Sequence, residues 1–70
     1  MRIKLCWKTK DLDPKKYRYT EFLSIKAAMK YYEKIEAIAT RAWLSRFLSY
    51  HDVTYKVLKE SHENATPPAS

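Results

Sequence analysis

Apolar and polar residues alternate along the first segment of the chain. Between residues 2 and 10, one side of an extended backbone would carry Ile3, Leu5 and Trp7. The other side would carry Arg2, Lys4, Cys6 and Lys8. A period of two residues is typical of a strand with one buried face, so this segment predicts a half-buried strand.

A chain reversal and a second strand follow. Residues 11–16 contain two aspartates and Pro14, which favour a turn. The segment from Tyr17 to about Phe22 then predicts the returning strand of a hairpin. Its orientation stays open, because Tyr17 and Tyr19 share one face while Thr20 and Phe22 share the other.

The middle of the chain predicts a helix. Ser24 is a typical N-cap residue followed by good helix formers. Apolar side chains then recur at helical spacing, at Ala28, Tyr31, Tyr32, Ile35, Ile38 and Ala39. The opposite face is polar, with Lys26, Lys30, Glu33 and Lys34. This pattern indicates an amphipathic helix packed on the hairpin.

The apolar stripe changes direction after residue 39. At about 100° per residue, the stripe formed by Trp43, Leu44, Phe47 and Leu48 lies roughly 140° around the axis from the earlier one. One straight helix therefore cannot bury both stripes against one sheet. Two interpretations remain open: a break near residues 37–40 with Thr40 capping a second helix, which we favour, or one long helix through residues 24–50 whose second half faces something else.

The last part of the chain predicts one more strand and a tail. His51 and Asp52 predict a turn, and residues 53–57 alternate as a third strand. Residues 61–70 contain almost nothing apolar and predict a disordered C-terminal tail. The expected fold is a single α+β domain over residues 1–60. It has a small antiparallel sheet, made of the N-terminal hairpin and a C-terminal strand, packed against one long or two consecutive helices in the order β-β-α-(α)-β.

The chain is basic, and its positive charge is concentrated in the N-terminal half. The 70-residue chain has a formal net charge of +6. Nine of its basic residues fall within residues 1–30, where only Asp11, Asp13 and Glu21 oppose them. Such a field speeds encounters with polyanions or acidic proteins without selecting between them. No signal peptide or membrane-spanning run is present in the sequence, so we expect a cytoplasmic protein that does not enter a membrane.

Catalytic chemistry has few candidates in this sequence. The lone Cys6 lies between two lysines in the strand projection, and His51-Asp52 is an adjacent base and carboxylate, but both are better read as ordinary structural positions. No glycine is present for a phosphate loop, and no Cys/His group has metal-ligand spacing. We therefore expect a non-enzymatic protein with no catalytic residue, no metal and no cofactor.

Two binding sites are predicted. The first is a protein-binding cluster of residue types that dominate interface hot spots, namely Arg41, Trp43, Arg46, Phe47 and Tyr50. The alternative is a basic nucleic-acid site with aromatic stacking on the hairpin, formed by Lys4, Lys8, Lys15, Lys16, Arg18 and Tyr19. Homo-oligomerisation stays open.

The general character of the chain is similar to many small proteins that phages use to disable host machinery. It is short, free of glycine, rich in lysine and tyrosine, and has no catalytic motif. The similarity covers no specific motif and transfers no residue role. It favours a protein-binding module, an inhibitor or adaptor that occludes an acidic surface of a larger host complex. The alternative is a small basic nucleic-acid-binding protein.

Overall fold

The computed structural model describes residues 2–48 and 50–61 and contains four strands and one helix within them. The elements are β1 (Ile3–Lys8), β2 (Arg18–Phe22), α1 (Ile25–Ile35), β3 (Arg41–Leu48) and β4 (His51–Glu60). The strands form one antiparallel sheet in the order β2-β1-β3-β4. The expected α+β class, with a small antiparallel sheet packed against a helix, is confirmed.

The prediction of a second helix after residue 40 is wrong, as is its alternative, one long helix through residues 24–50. Helix α1 ends at Ile35, and Thr40 precedes a strand rather than capping a helix. Strand β3 has buried side chains on both of its faces, Ala42 and Leu44 on one face and Trp43 and Ser45 on the other. A strand buried on both faces has no polar alternation, and its apolar residues can mimic helical spacing.

Helix α1 begins where the sequence predicts. The Oγ atom of Ser24 accepts a hydrogen bond from the backbone N–H of Ala27 at 3.2 Å, which satisfies a donor that the first turn leaves unpaired. At the other end, the N–H groups of Ile38 and Ala39 both donate to the carbonyl oxygen of Ile35. These turns close the helix and lead the chain back to the sheet at Thr40.

One face of the sheet, here called the covered face, packs against α1. The register places Ile3, Leu5 and Trp7 of β1 beside Leu44 and Ala42 of β3. These side chains are buried together with Ala28 and Ile35 of the helix. A helix is about 10 Å wide and strands lie about 4.8 Å apart, so one helix covers roughly two strands. Accordingly α1 packs on β1 and β2, and much of β4 stays exposed.

Strand β4 is longer than predicted and irregular. The expected strand at residues 53–57 is confirmed, but His51 and Asp52 belong to the strand instead of forming a turn. Tyr50 lies in the turn with a φ of 72°, in the left-handed region. β4 contains two extra residues relative to its partner β3. One lies opposite the step from Ala42 to Trp43, and the other lies opposite the step from Leu44 to Ser45. The predicted tail falls almost entirely on residues 62–70, which lie outside the described residues.

Candidate binding face

The sheet face away from α1, here called the open face, brings together cations, carboxylates and aromatic rings. Its position follows from the pleat, since residues that alternate with the core residues of β1 and β3 must point away from the helix. The pairing register and ring contacts assign it Arg2, Lys4, Cys6, Lys8, Tyr17, Tyr19, Glu21, Arg41, Trp43, Ser45, Phe47, Asp52 and Glu60. Both sites predicted from the sequence contribute residues to this face.

An aromatic cluster occupies the centre of the open face. The ring centroid of Tyr17 lies 5.4 Å from that of Trp43 and 6.2 Å from that of Tyr19, with tilted planes at distances typical of favourable aromatic pairs. Trp43 is only 8% exposed beneath this arrangement, whereas Tyr17 is 45% and Tyr19 54% exposed. The tryptophan therefore acts as a buried support, and the two tyrosines form the surface.

Cations are held against these rings. The guanidinium carbon of Arg41 lies 4.7 Å from the Trp43 ring centroid, and the ammonium nitrogen of Lys4 lies 4.9 Å from that of Tyr19. At the far end of the face, the guanidinium carbon of Arg2 lies 6.0 Å from the centroid of Phe47. Interleaved cations and rings are the composition found at interface hot spots.

All three of these cations are also paired with carboxylates from a different part of the sheet. Arg2 pairs with Glu21, Lys4 with Asp52, and Arg41 with Glu60. Exposed pairs of this kind contribute only about 0–1 kcal/mol each to folding. Their larger effect is to fix side-chain positions and to neutralise much of the positive charge on the open face.

The Lys4 pair is the best developed of the three. The ammonium group donates a hydrogen bond to Asp52 Oδ2, and this bond raises the pKa of Lys4 above its ordinary value despite the opposing effect of burial. Lys4 therefore stays charged at neutral pH while it bridges β1 and β4 across β3.

Cys6 lies beneath the aromatic cluster and is 2% exposed. Burial raises the pKa of its thiol, more than the hydrogen bond to Ser45 and the nearby Lys4 charge lower it. A buried neutral thiol is a poor nucleophile. The position is therefore that of a small packing residue.

The predicted protein-binding residues separate in the structure. Arg41, Trp43 and Phe47 share the open face, with Phe47 42% exposed. Arg46 pairs with Ile3 and so points to the other side, where its guanidinium carbon lies 5.6 Å from the Tyr55 ring centroid. Tyr50 stands at the hairpin turn and is 92% exposed.

The predicted nucleic-acid residues separate in the same way. Lys4, Lys8 and Tyr19 lie on the open face, while Lys15 and Lys16 belong to the exposed loop between β1 and β2. Arg18 pairs with Trp7 and points to the covered side of the sheet. The Nζ atom of Lys8 donates to the carbonyl oxygen of Pro14.

Sequence reasoning left Arg2, Tyr17, Glu21 and Asp52 out of both sites. A signal was present for Arg2, because it continues the alternation of Lys4, Cys6 and Lys8. Tyr17 and Glu21 likewise alternate with Tyr19 along the second strand, whereas the position of Asp52 depends on register. Asp52 reaches the open face only because His51 and Asp52 extend β4 opposite Phe47 and Leu48.

A metal-binding cluster and a membrane-spanning helix are both absent from the described residues. Residues 2–48 and 50–61 contain no cluster of three or more His, Cys, Asp or Glu side chains able to hold a metal ion. The helix within these ranges is neither long nor apolar enough to cross a membrane.

Comparisons of the chain with protein-family models, curated proteins and solved structures find no match. Its function must therefore be argued from the open face itself.

Proposed function

We propose that this chain is a non-enzymatic protein-binding module whose open face docks on a larger protein, as an inhibitor or adaptor that occludes the surface it covers. The observation that carries the proposal is the set of partly exposed rings on the open face, Tyr17, Tyr19 and Phe47, interleaved with fixed cations. Large rigid rings provide contact area at a low cost in conformational entropy.

The ion pairs favour a protein partner over a nucleic acid. A nucleic-acid surface needs cations that can neutralise phosphates. Glu21, Asp52 and Glu60 already oppose Arg2, Lys4 and Arg41 on the open face. A mixed-charge, ring-rich face is better matched to a protein surface, with the remaining lysines steering approach to an acidic partner.

Nucleic-acid binding is the second candidate function. It is supported by the exposure of Tyr17 and Tyr19 next to Lys15 and Lys16, which have no carboxylate within ion-pair distance among the described contacts. Stacking on tyrosine with lysine contacts to phosphate is a recurrent way of binding single strands.

The test removes exposed rings without touching the core. In the double variant Tyr19→Ser with Phe47→Ser, affinity for the protein captured by the wild-type chain from native host extract should fall at least about tenfold, since hot-spot rings contribute about 2 kcal/mol or more each. The fold should persist by circular dichroism, because both rings are partly exposed.

A matched control removes two exposed apolar side chains elsewhere, as Leu23→Ser with Ile38→Ser. Capture should be retained by this control and should survive nuclease treatment. If both double variants lose capture equally, the open face is not the docking surface. Two results together would replace the proposal by the second candidate. Nuclease would abolish capture, and the chain would bind short oligonucleotides in a salt-sensitive way that Lys15→Gln with Lys16→Gln removes.

A further inference from the structure

Only part of the covered face lies beneath the helix. Helix α1 lies over β1 and β2, and within residues 2–48 and 50–61 no second helix lies over the same side of β3 and β4. This uncovered part, here called the outer half, carries Arg46, Leu48, Val53, Tyr55, Lys56 and Lys59. It is two strands wide, about 10 Å, which is the width that one α-helix covers.

The two extra residues of β4 enlarge the apolar part of this surface. Tyr55 is the extra residue opposite the step from Leu44 to Ser45, and its ring lies on the outer half, 5.6 Å from the guanidinium carbon of Arg46. Leu58 is the other extra residue, and it packs against the core beneath α1. Bulges of this kind change the direction of side chains along a strand. The outer half therefore has more apolar side chains than regular alternation would give it.

Large apolar side chains remain exposed on the outer half. Leu48, Val53 and Tyr55 are all exposed, whereas the side chains beneath α1 are buried. A contiguous exposed apolar patch with charged neighbours is typical of a surface that another molecule covers.

The charge of the outer half is positive. Lys56 is exposed and has no hydrogen bond or ion pair among the described residues, and Lys59 donates to the backbone carbonyl of Glu36 rather than to a carboxylate. The acidic residues of β3 and β4 are Asp52 and Glu60, and both lie on the open face. On α1, Glu36 borders the outer half with one carboxylate. The complementary partner therefore carries acidic residues beside an apolar stripe.

A second copy of the chain does not meet this requirement. Two copies that packed through their outer halves would bring Lys56 and Lys59 of each close to the same residues of the other. The chain also has a formal net charge of +6, so two copies repel each other before they meet. Charge complementarity selects an acidic partner instead.

We infer that the outer half binds an amphipathic α-helix of an acidic partner protein, laid on the sheet beside α1. The apolar stripe of that helix packs on Leu48, Val53 and Tyr55. Its flanking carboxylates pair with Lys56 and Lys59. The outer half is on the opposite side of the sheet from the docking face proposed for Tyr19 and Phe47, so the two surfaces can be tested separately.

The first experiment titrates the full chain with synthetic peptides and follows backbone amide resonances by NMR. The probe is an amphipathic peptide with a leucine stripe at helical spacing and glutamate on both flanks. A length of about 18 residues gives a helix of about 27 Å, which matches about eight residues of a strand. The amides of residues 53–59 should shift, and those of β2 should not.

Two control peptides separate the stripe from the charge. One has the same composition in scrambled order, and the other has lysine in place of every glutamate. Each should bind at least about tenfold more weakly than the acidic amphipathic peptide. Equal binding of either control, or no shift of residues 53–59 with the acidic peptide, overturns the inference.

The second experiment compares the two sides of the sheet with matched variants. Val53→Thr with Tyr55→Thr should weaken binding of the acidic peptide about tenfold, since both side chains lie beneath the docked helix. Tyr19→Thr with Val57→Thr removes the same two residue types from the open face and should leave binding unchanged. All four side chains are exposed and threonine favours strands, so circular dichroism should show the fold in both variants. Equal losses in the two variants would show that the outer half is not the binding surface.

The charge of the outer half has its own matched pair. Lys56→Gln should weaken binding of the acidic peptide about threefold, as expected for one exposed ion pair. Lys30→Gln makes an equal charge change on the exposed side of α1 and should have no effect. Equal effects of the two substitutions would mean that only the overall charge of the chain attracts the peptide.

Other occupants of the outer half give different results. Binding to vesicles of phosphatidylcholine and phosphatidylserine in equal parts, without binding of the acidic peptide, would replace the partner helix by a lipid surface. A dimer in sedimentation equilibrium that Val53→Thr with Tyr55→Thr abolishes would replace it by a second copy. The Tyr19→Ser with Phe47→Ser variant should bind the acidic peptide as the wild type does, so failure of the docking face does not imply failure of the outer half.

Discussion

The two faces of the sheet are built from the same four strands but differ in what covers them. On the covered face, α1 encloses aliphatic side chains such as Leu5 and Leu44, both 0% exposed. On the open face, a layer one side chain deep is assembled from rings and ion pairs. Burial of aliphatic area makes the covered face the main source of folding free energy, while the open face leaves rings and charged groups exposed.

The largest expected effect tests that division of roles. Leu44→Ala should lower the free energy of unfolding by about 3 kcal/mol, because it leaves a cavity in the core beneath α1. Phe47→Ala, on the same strand but on the open face, should cost less than about 1 kcal/mol because its ring is 42% exposed. Urea denaturation of both variants measures the contrast. Equal losses would mean that the open face is a second core.

A second prediction tests how tightly the aromatic layer closes over Cys6. Tyr17→Ala removes the ring that covers Trp43. The free energy of local opening around the thiol should therefore fall by about 1.4 kcal/mol, which corresponds to about a tenfold rise in the rate of thiol alkylation at pH 8. Tyr55→Ala, on the other side of the sheet, is the control and should leave the rate unchanged. Fast alkylation of the wild type would show that the layer is already open.

A third prediction concerns the hairpin turn, which belongs to neither face. Tyr50 has a positive φ, which costs a side chain with a Cβ atom about 1–2 kcal/mol. Tyr50→Gly should therefore raise the free energy of unfolding by about 0.5–1 kcal/mol, after the greater freedom of glycine in the unfolded chain is subtracted. Tyr50→Ala keeps the Cβ atom and should bring no gain. Thermal denaturation of the two variants measures this difference in stability, and an equal gain in both would show that the positive φ is not its cause.

The smallest expected effect is electrostatic. The pKa of Lys4 is raised in the folded state by its pair with Asp52. The contribution of this pair to the free energy of unfolding is therefore fully present below pH 10.5, and it is lost as the pH rises through the raised pKa. Asp52→Asn should lower stability at pH 7 by about 0.5–1 kcal/mol. The difference from wild type should shrink as the pH is raised above 10.5. A difference that persists at high pH would assign the effect to packing.

The sequence pattern identified the elements that have a local signal, either regular alternation of apolar and charged residues or a helix cap. The alternation of Ile3, Leu5 and Trp7 predicted β1, and Ser24 predicted the start of α1, because each signal is local. Strand β3 could not be recognised in this way. Residues 42–45 of β3 are buried on both faces of the sheet, so this stretch lacks the regular polar alternation that reveals a strand.

The candidate site was predicted by residue type but not by arrangement. Trp43 and Arg41 were assigned to a helix, and Lys4 and Tyr19 to a separate hairpin surface. Pairing of β3 with β1 brings the two sets together, because residue 43 faces residue 6 across the strands. Such pairing is a long-range property of the fold and leaves no trace in local periodicity.

The two extra residues inserted in β4 have a further consequence for self-association. An outer strand ten residues long would otherwise offer a straight row of amide and carbonyl groups to another chain. Each bulge interrupts that row and increases the local twist. The irregular edge of β4 is therefore a poorer template for a further strand than a straight edge of the same length, although valine and tyrosine side chains stay exposed along it.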